Sequence, residues 1–311
     1  MSHSKQGGSE YEVLRTLEDR RAGRTTEGVK LGLVLEGGSL RGVFGSGACQ
    51  ALCDYGMHQA FDVIVGNSSG GLNGTYLPGC NQETGLIIYR DHATSKNCIN
   101  FWKFPNVLDV EWLVRTWILN RLKYDETAVF KGRAEVFLPV TDTRDGTTHW
   151  FSTKRSTRQE FEEALVATSC TPLVCDQTVK IGNGSFNDGL LGAAIPIEKA
   201  IEEGCTHIVV IMTTQTNAFK SRGNLIKRMF SWLRTKKFGK DYQRKFLNKH
   251  ENYNRQKKIC LNGYPGVKIL NVAPSSDSDL VGNIQVDQNQ IERSWERGRS
   301  IMSDVLEIRR S

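Results

Sequence analysis

Apolar residues in this chain gather into short runs that alternate in kind. Val29 to Glu36 (VKLGLVLE) is a continuous β-rich run that predicts a buried strand, and Val43 to Tyr55 follows it with the character of a helix. A second apolar run opens at Phe61 (FDVIVG). Thr84 to Lys96 and the Trp-containing stretch Leu108 to Leu122 read as helical. Strands are expected at Ala134 to Asp142 and Thr147 to Thr153, joined by the hairpin turn Arg144-Asp145-Gly146. Helix Arg158 to Thr168, a strand ending at Asp188, helix Glu198 to Glu203 and strand His207 to Thr213 complete the series. This alternation predicts an α/β fold: a mostly parallel central sheet with helices on both faces. Before it, 1–28 reads as a polar, flexible leader, with 29–214 as the core and 215–311 as a basic helical segment plus a final strand and helix of the same domain.

The turns between these runs carry the chemistry. The run from Phe61 ends in Gly66-Asn67-Ser68-Ser69-Gly70, a G-x-S-x-G in which Gly66 and Gly70 leave room for a sharp strand-to-helix turn with Ser68 at its apex. The first strand runs into Gly37-Gly38-Ser39-Leu40-Arg41-Gly42, a loop whose backbone N–H groups can approach a ligand oxygen. Neither G-x-G-x-x-G in register after this strand nor a G-x-x-x-x-G-K-[ST] loop is found, which argues against a nucleotide site. Further on, Asp188-Gly189 stands in a Gly-rich segment.

Strand, Gly-rich loop, G-x-S-x-G and a distant Asp-Gly, in that order, resemble the patatin-like phospholipase family. Phe161 to Pro172, with its Ala167-Thr168-Ser169 turn, Ile195-Pro-Ile-Glu-Lys-Ala and Gly204-Cys-Thr-His-Ile-Val-Val extend the resemblance from about Lys30 to about Thr214. It implies a serine acylhydrolase with a Ser-Asp dyad. Ser68 is then the nucleophile, Asp188 the general base, and the N–H groups of Gly38 and Ser39 in the Gly37 to Gly42 loop, with the Arg41 region, the oxyanion donors. Phospholipid or lysophospholipid esters are the implied substrates, and neither metal nor other cofactor is implied. Ser39 stands where the family more often has a third glycine, and Leu190 replaces the usual small residue after Asp-Gly. Histidine placement favours a dyad over a triad: His58 and His207 precede or open strands, His92 lies on a helix and His149 in a hairpin, leaving His250 as the least excluded third member. The rival reading is an idle member that only binds lipid or docks on membranes.

Charge adds one feature. Lys220 to Lys258 holds fourteen Lys and Arg against Asp241 and Glu251, an excess larger than the whole chain's net +7. Leu225, Ile226, Met229, Phe230, Trp232, Leu233 and Phe238 are interleaved with these cations. That pattern suits a helix lying on an anionic membrane, with Lys227, Arg228, Arg234, Lys236 and Lys237 as candidate contacts, or a cap whose apolar side packs on the domain. Nucleic acid is disfavoured, because no recognisable module accompanies the basic stretch. Trp112, Leu113, Trp117 and Ile118 form one helical face, either core packing or the wall of an acyl pocket.

The remaining features set bounds. No apolar run approaches the roughly 18 residues of a membrane span, and the first residues carry no signal-peptide core, which points to a cytoplasmic protein. Eight dispersed cysteines predict free thiols; Cys49 and Cys53 share a helix face but make a poor zinc site without further partners. Asn67-Ser68-Ser69 matches a glycosylation sequon, yet a glycan there would block the proposed site. Asp277-x-Asp279-x-x-Gly282 lacks the closing Glu of a calcium loop.

Overall fold

A computed structural model describes residues 3–175, 177–276, 281–282 and 284–307, with side chains from residue 8 onward. Asp277 and Asp279 lie outside the described residues. Helix α1 (His3–Arg21) leads into β1 (Leu31–Leu35), α2 (Gly42–Asp54), β2 (Val63–Gly66) and α3 (Ser69–Tyr76). The hairpin β3 (Glu135–Asp142) and β4 (Thr148–Ser152) follows, then α4 (Arg158–Ala167), β5 (Val179–Ile181), β6 (Gly184–Asp188) and β7 (His207–Ile211). Helices α5 (Leu225–Thr235), α6 (Lys240–Leu247) and α7 (Lys249–Asn262), strand β8 (Lys268–Val272) and α8 (Gln288–Glu307) complete the described elements named here.

Five strands run parallel in the order β3-β2-β1-β7-β8, and β4, β6 and β5 extend the β3 side in antiparallel fashion. Every residue of β1 and β2 is buried, as a sheet covered on both faces requires. Leu31, Leu33 and Leu35 pack on one side with Leu52, Phe161 and Leu165, whereas Val34, Val63 and Val65 pack on the other with Ile197, Ala200 and Tyr253. The C-terminal ends of β1, β2 and β7 therefore open at one edge, where sites of open α/β sheets assemble. α4 begins at a capping box in which Thr157 and Glu160 satisfy each other's backbone N–H groups.

Three expectations are corrected. Residues 3–21 form a helix where 1–28 reads as a flexible leader. Its Val13, Leu14 and Leu17 are buried, and it packs on β8 and β7. One narrow apolar stripe suffices for this docking, which is why the overall composition reads as polar. Arg20 pins the helix end: its guanidinium donates to Ala60 O and Asp62 Oδ2, both at 2.6 Å, and to Val29 O at 2.8 Å. Cys53 is bonded to Cys80, which folding brings together, while the other six cysteines are free and buried. His58 lies beside that pair, with the three ligand atoms within 4.8 Å of one another, so Cys53 does have the neighbours that spacing along α2 did not reveal. Finally, the stretches 84–96 and 108–122 are only partly α-helical: each passes into wider π-helical turns, Ile88–Ala93 and Leu113–Arg121.

If α1 is part of the core, Leu17→Ala costs about 2–5 kcal/mol of unfolding free energy, the range for emptying a buried leucine site. Urea denaturation measures it. An unchanged midpoint would return the segment to the status of a leader.

Candidate active site

The turn after β2 is set by close backbone contact. A Cβ on Gly66 would lie 2.3 Å from Gly70 O, and one on Gly70 would lie 2.4 Å from Leu35 O, so only glycine fits at either position. Ser68 between them has φ 53° and ψ −126°, a backbone state that costs a non-glycine residue about 1–3 kcal/mol. Hydrogen bonds hold it there. Ser68 N–H donates to Thr168 Oγ1 at 3.1 Å, Thr168 Oγ1 donates to Asn67 Oδ1 at 3.3 Å, and Gly70 N–H donates to Asn67 O at 2.8 Å.

β6 runs against β3 and sets Asp188 opposite Val140, with Thr141 Oγ1 donating to the Asp188 carbonyl at 2.8 Å. The Asp188 carboxylate is buried, and its Oδ1 accepts from Asn67 Nδ2 at 3.1 Å and from Leu190 N–H at 2.9 Å. Burial pushes the Asp188 pKa up to about 7, against the opposing pull of the Asn67 and Leu190 donors and the Lys220 charge. Asn67 thus ties the serine turn to the carboxylate. Its two neighbours on either side of the amide, Thr168 and Asp188, belong to separate motifs in the sequence, so their link through Asn67 appears only in the fold.

The Gly-rich loop lies across the same edge. Ser39 has φ 55°, and Gly38 N–H donates to Ser69 Oγ at 3.0 Å. Of the two expected oxyanion donors, Gly38 is therefore engaged, and Ser39 N–H has no acceptor among the described residues. Arg41 N–H donates to Gly38 O at 3.1 Å, and Gly42 opens α2 directly against Ser69. Beneath the loop is a buried network that sequence reading missed. Glu36 accepts from Thr213 N–H at 2.8 Å and from Tyr253 Oη at 2.9 Å, and Lys257 Nζ donates to Thr214 Oγ1 at 3.0 Å. The residues lie more than 200 positions apart in the case of Glu36 and Tyr253, so no local pattern could announce them.

Gly37, Gly38, Ser39, Arg41, Ser68 and Asp188 all line one cavity of about 520 Å³. Gly42, Gly66, Gly70 and Gly189 are not among its lining residues; they pack closely against Ser69, Gly70, Leu35 and Pro139 respectively. Part of its wall is apolar: Leu72, Ile88, Leu113, Val114 and Ile118 contribute, three of them from the π-helical turn Leu113–Arg121 and one from Ile88–Ala93. Leu113 and Ile118 thus belong to the pocket. Trp112 and Trp117 instead pack edge to face at 6.3 Å, and Trp117 stacks on His92.

The basic residues separate into groups. Lys227 lines the cavity; Arg234 turns inward, donating from Nε to Pro172 O at 2.7 Å and from a terminal nitrogen to Asn106 Oδ1. Lys236 and Lys237 are exposed and Arg228 is half-buried. Arg234 is therefore a tether of α5 and not a surface contact. His250 also reaches the cavity, with Nδ1 buried and unpartnered among the described residues. The Asp188 oxygens take no histidine donor among those residues. No helix of the described residues is long and apolar enough to cross a membrane.

A patatin-like phospholipase family profile matches residues 33–201. The chain is 25% identical over 210 residues to the uncharacterized protein YjjU of Escherichia coli (strain K12), an alignment covering 66% of this chain and 57% of that protein. The chain thus matches somewhat more than half the length of that relative. It is also similar to the crystal structure of VipD from Legionella pneumophila, at 13% identity and a TM-score of 0.43, covering 90% of this chain and 67% of that one. With the matched region holding the Gly-rich loop, the serine turn and Asp188-Gly189, and spanning more than half of the sequence, the chain belongs to the patatin-like phospholipase family.

Proposed function

We propose that this protein is a lipid acylhydrolase working through a Ser68-Asp188 dyad. The observation that carries the reading is the dry carboxylate of Asp188, tied through Asn67 to a strained serine turn in the same cavity. Ser68 Oγ attacks the ester carbonyl and Asp188 takes its proton, a transfer helped by a carboxylate whose pKa is raised to about 7. The new oxyanion is met by Ser39 N–H, and by Gly38 N–H once the Ser69 hydroxyl turns away. Protonated Asp188 then gives its proton to the leaving alkoxide. Water attacks the acyl-enzyme with Asp188 again as base, releasing the fatty acid and restoring Ser68. The apolar wall suits an acyl chain, and 520 Å³ lies in the range of ordinary ligand pockets.

Family membership and an apolar pocket support a lipid ester over a small polar one, and the protein surface supports reaching it at an interface. On α5, Leu225 is 81% exposed, and Ile226, Met229, Trp232 and Leu233 are exposed with it, so a cap packing its apolar side inward is disfavoured. The nearby segment 101–104 adds Phe101, Phe104 and Trp102, the last 98% exposed, and the Phe104 ring stacks on Phe230 of α5 at 5.9 Å. Arg228 lies on the helix with this patch, and Lys236 and Lys237 follow directly after its last turn. An exposed aromatic patch with cations beside it fits an anionic bilayer surface.

Ser68→Ala is expected to abolish ester hydrolysis with the fold intact, whereas Ser69→Ala keeps most activity because it retains the backbone N–H and releases that of Gly38. Asp188→Asn lowers kcat by at least about 100-fold. It also acts on stability with a defined sign. A carboxyl raised from its ordinary value near 4 to about 7 disfavours the folded state progressively as pH rises through that window, so the Asn variant melts above wild type at pH 8 and level with it near pH 4. Activity surviving Ser68→Ala, or a melting difference independent of pH, would refute these roles.

For docking, Trp102→Ser with Ile226→Ser should cut co-sedimentation with anionic vesicles by at least about 10-fold, since each side chain withdrawn from lipid forfeits a kcal/mol or more. Arg228→Gln, Lys236→Gln and Lys237→Gln together should weaken binding to anionic vesicles, more at low salt than at high salt, and leave neutral vesicles unaffected. Equal binding by wild type and both variants would remove the membrane from the account.

A further inference from the structure

Helices α2 and α3 pack on each other and close with the same kind of turn. After α2, Gly56 N–H donates to Cys53 O at 2.8 Å and Met57 N–H to Leu52 O at 2.7 Å, with Gly56 at φ 67°. After α3, Cys80 N–H donates to Leu77 O at 2.9 Å and Asn81 N–H to Tyr76 O at 3.2 Å, but the left-handed residue is now Cys80, at φ 56°. Glycine usually takes that place, because a Cβ there is strained. Among the described residues, the other non-glycine positions with positive φ are Ser39 and Ser68, and both line the candidate active site. Strain of this kind persists where a side chain is needed at that point, which directs attention to the Cys80 thiol.

The turn at Gly56 brings His58 back beside the end of its own helix. Cys53 Sγ, Cys80 Sγ and a ring nitrogen of His58 lie within 4.8 Å of one another. Cys53 is buried, and His58 and Cys80 are half-buried. The Nδ1 atom of His58 is itself buried and has no hydrogen-bond partner among the described residues. A bond between the two sulfurs accounts for neither the imidazole beside them nor its unpartnered nitrogen. Two thiolates and an imidazole are a donor set that suits zinc and not magnesium or calcium. Around a tetrahedral zinc, with Zn–S near 2.3 Å, two sulfurs stand about 3.8 Å apart, inside the spread of this group.

We propose that Cys53, Cys80 and His58 form a zinc site when the two cysteines are reduced, with water as the fourth ligand. A dithiol reductant gives two electrons and two protons to the Cys53–Cys80 bond and leaves as its own disulfide; zinc then displaces the two thiol protons. Disulfide and zinc are alternative clasps at one point. That point lies at the ends of α2 and α3 away from the Gly-rich loop and Ser68, roughly 12–20 Å along the helices at 1.5 Å per residue, so the metal holds the pair together and takes no part in the chemistry. The assignment does not depend on the acylhydrolase reading.

Full-length protein is stripped with a chelator, reduced with dithiothreitol and desalted without air, then titrated with Zn2+ against a chromophoric chelator and separately with Co2+. Reduced wild type should bind one zinc with Kd below about 1 μM. Cobalt should give the sulfur-to-metal charge-transfer band and the visible bands of a tetrahedral thiolate site. Zinc at a hundredfold excess over Kd should raise the melting temperature by about 5 °C. Oxidised wild type should show none of these responses. Cys53→Ser should lose them, and His58→Gln should weaken zinc binding by at least about 10-fold.

Cys80→Gly separates a lost ligand from a lost fold. Glycine relieves the left-handed strain, so the reduced, metal-free variant should melt level with or above reduced, metal-free wild type and yet show no zinc response. Reduced wild type without a zinc response would leave the pair a disulfide only and refute the site. An equal response in oxidised protein, or one that survives Cys80→Gly, would place the metal elsewhere. Unchanged affinity in His58→Gln would remove the third ligand and with it the assignment.

Discussion

A single side chain, Asn67, couples the features on which this site depends. Its amide donates to the buried Asp188 carboxylate and accepts from Thr168, whose hydroxyl in turn receives the Ser68 N–H. The ends of β2, α4 and β6 are thereby joined at one point. The strain at Ser68 persists because this network and the backbone contact between Gly66 and Gly70 allow little else. The same enclosure that fixes the geometry dries the carboxylate and raises its pKa to about 7, so about half of it is ionised at neutral pH and it is more basic than an ordinary carboxylate. Folding stability is lowered by that burial at pH values above the raised pKa.

Around this centre the molecule grades from dry to wet. The π-helical turns at Ile88–Ala93 and Leu113–Arg121 contribute to the apolar wall, whereas Arg222, Lys227 and Lys249 line both this cavity and a second one beside it, with Lys220 on the side of the first. Beyond them, α5 and the segment 101–104 expose aromatic and aliphatic groups to solvent. One basic stretch of chain thus serves different ends: Arg234 tethers a helix and Lys257 joins the network beneath the Gly-rich loop.

Much of this was legible in the sequence, for physical reasons. Continuous apolar runs marked the buried parallel strands, Arg144-Asp145-Gly146 marked the hairpin, and glycines at strand ends marked Ser68 and the Gly-rich loop, because sharp turns need particular residues locally. What was hidden depends on distant partners. Val13 and Leu17 look sparse until β8 supplies the surface they cover, and Cys53 meets Cys80 only after α2 and α3 pack. The occupation of Gly38 N–H by Ser69 Oγ is a side-chain rotamer, which no motif encodes. Phe101, Trp102 and Phe104 gain their meaning from Phe230, more than a hundred residues later.

The most direct test is the pH dependence of labelling by a fluorophosphonate, with the modified residue identified by mass spectrometry. A Ser68-Asp188 dyad requires adduct at Ser68, with a rate that rises with pH through a midpoint near 7 as Asp188 ionises. His250→Gln should leave that midpoint in place, and Asp188→Asn should abolish the transition. Labelling elsewhere, or a transition that persists without Asp188 and vanishes with His250, would contradict the dyad and put a histidine at the centre of the reaction.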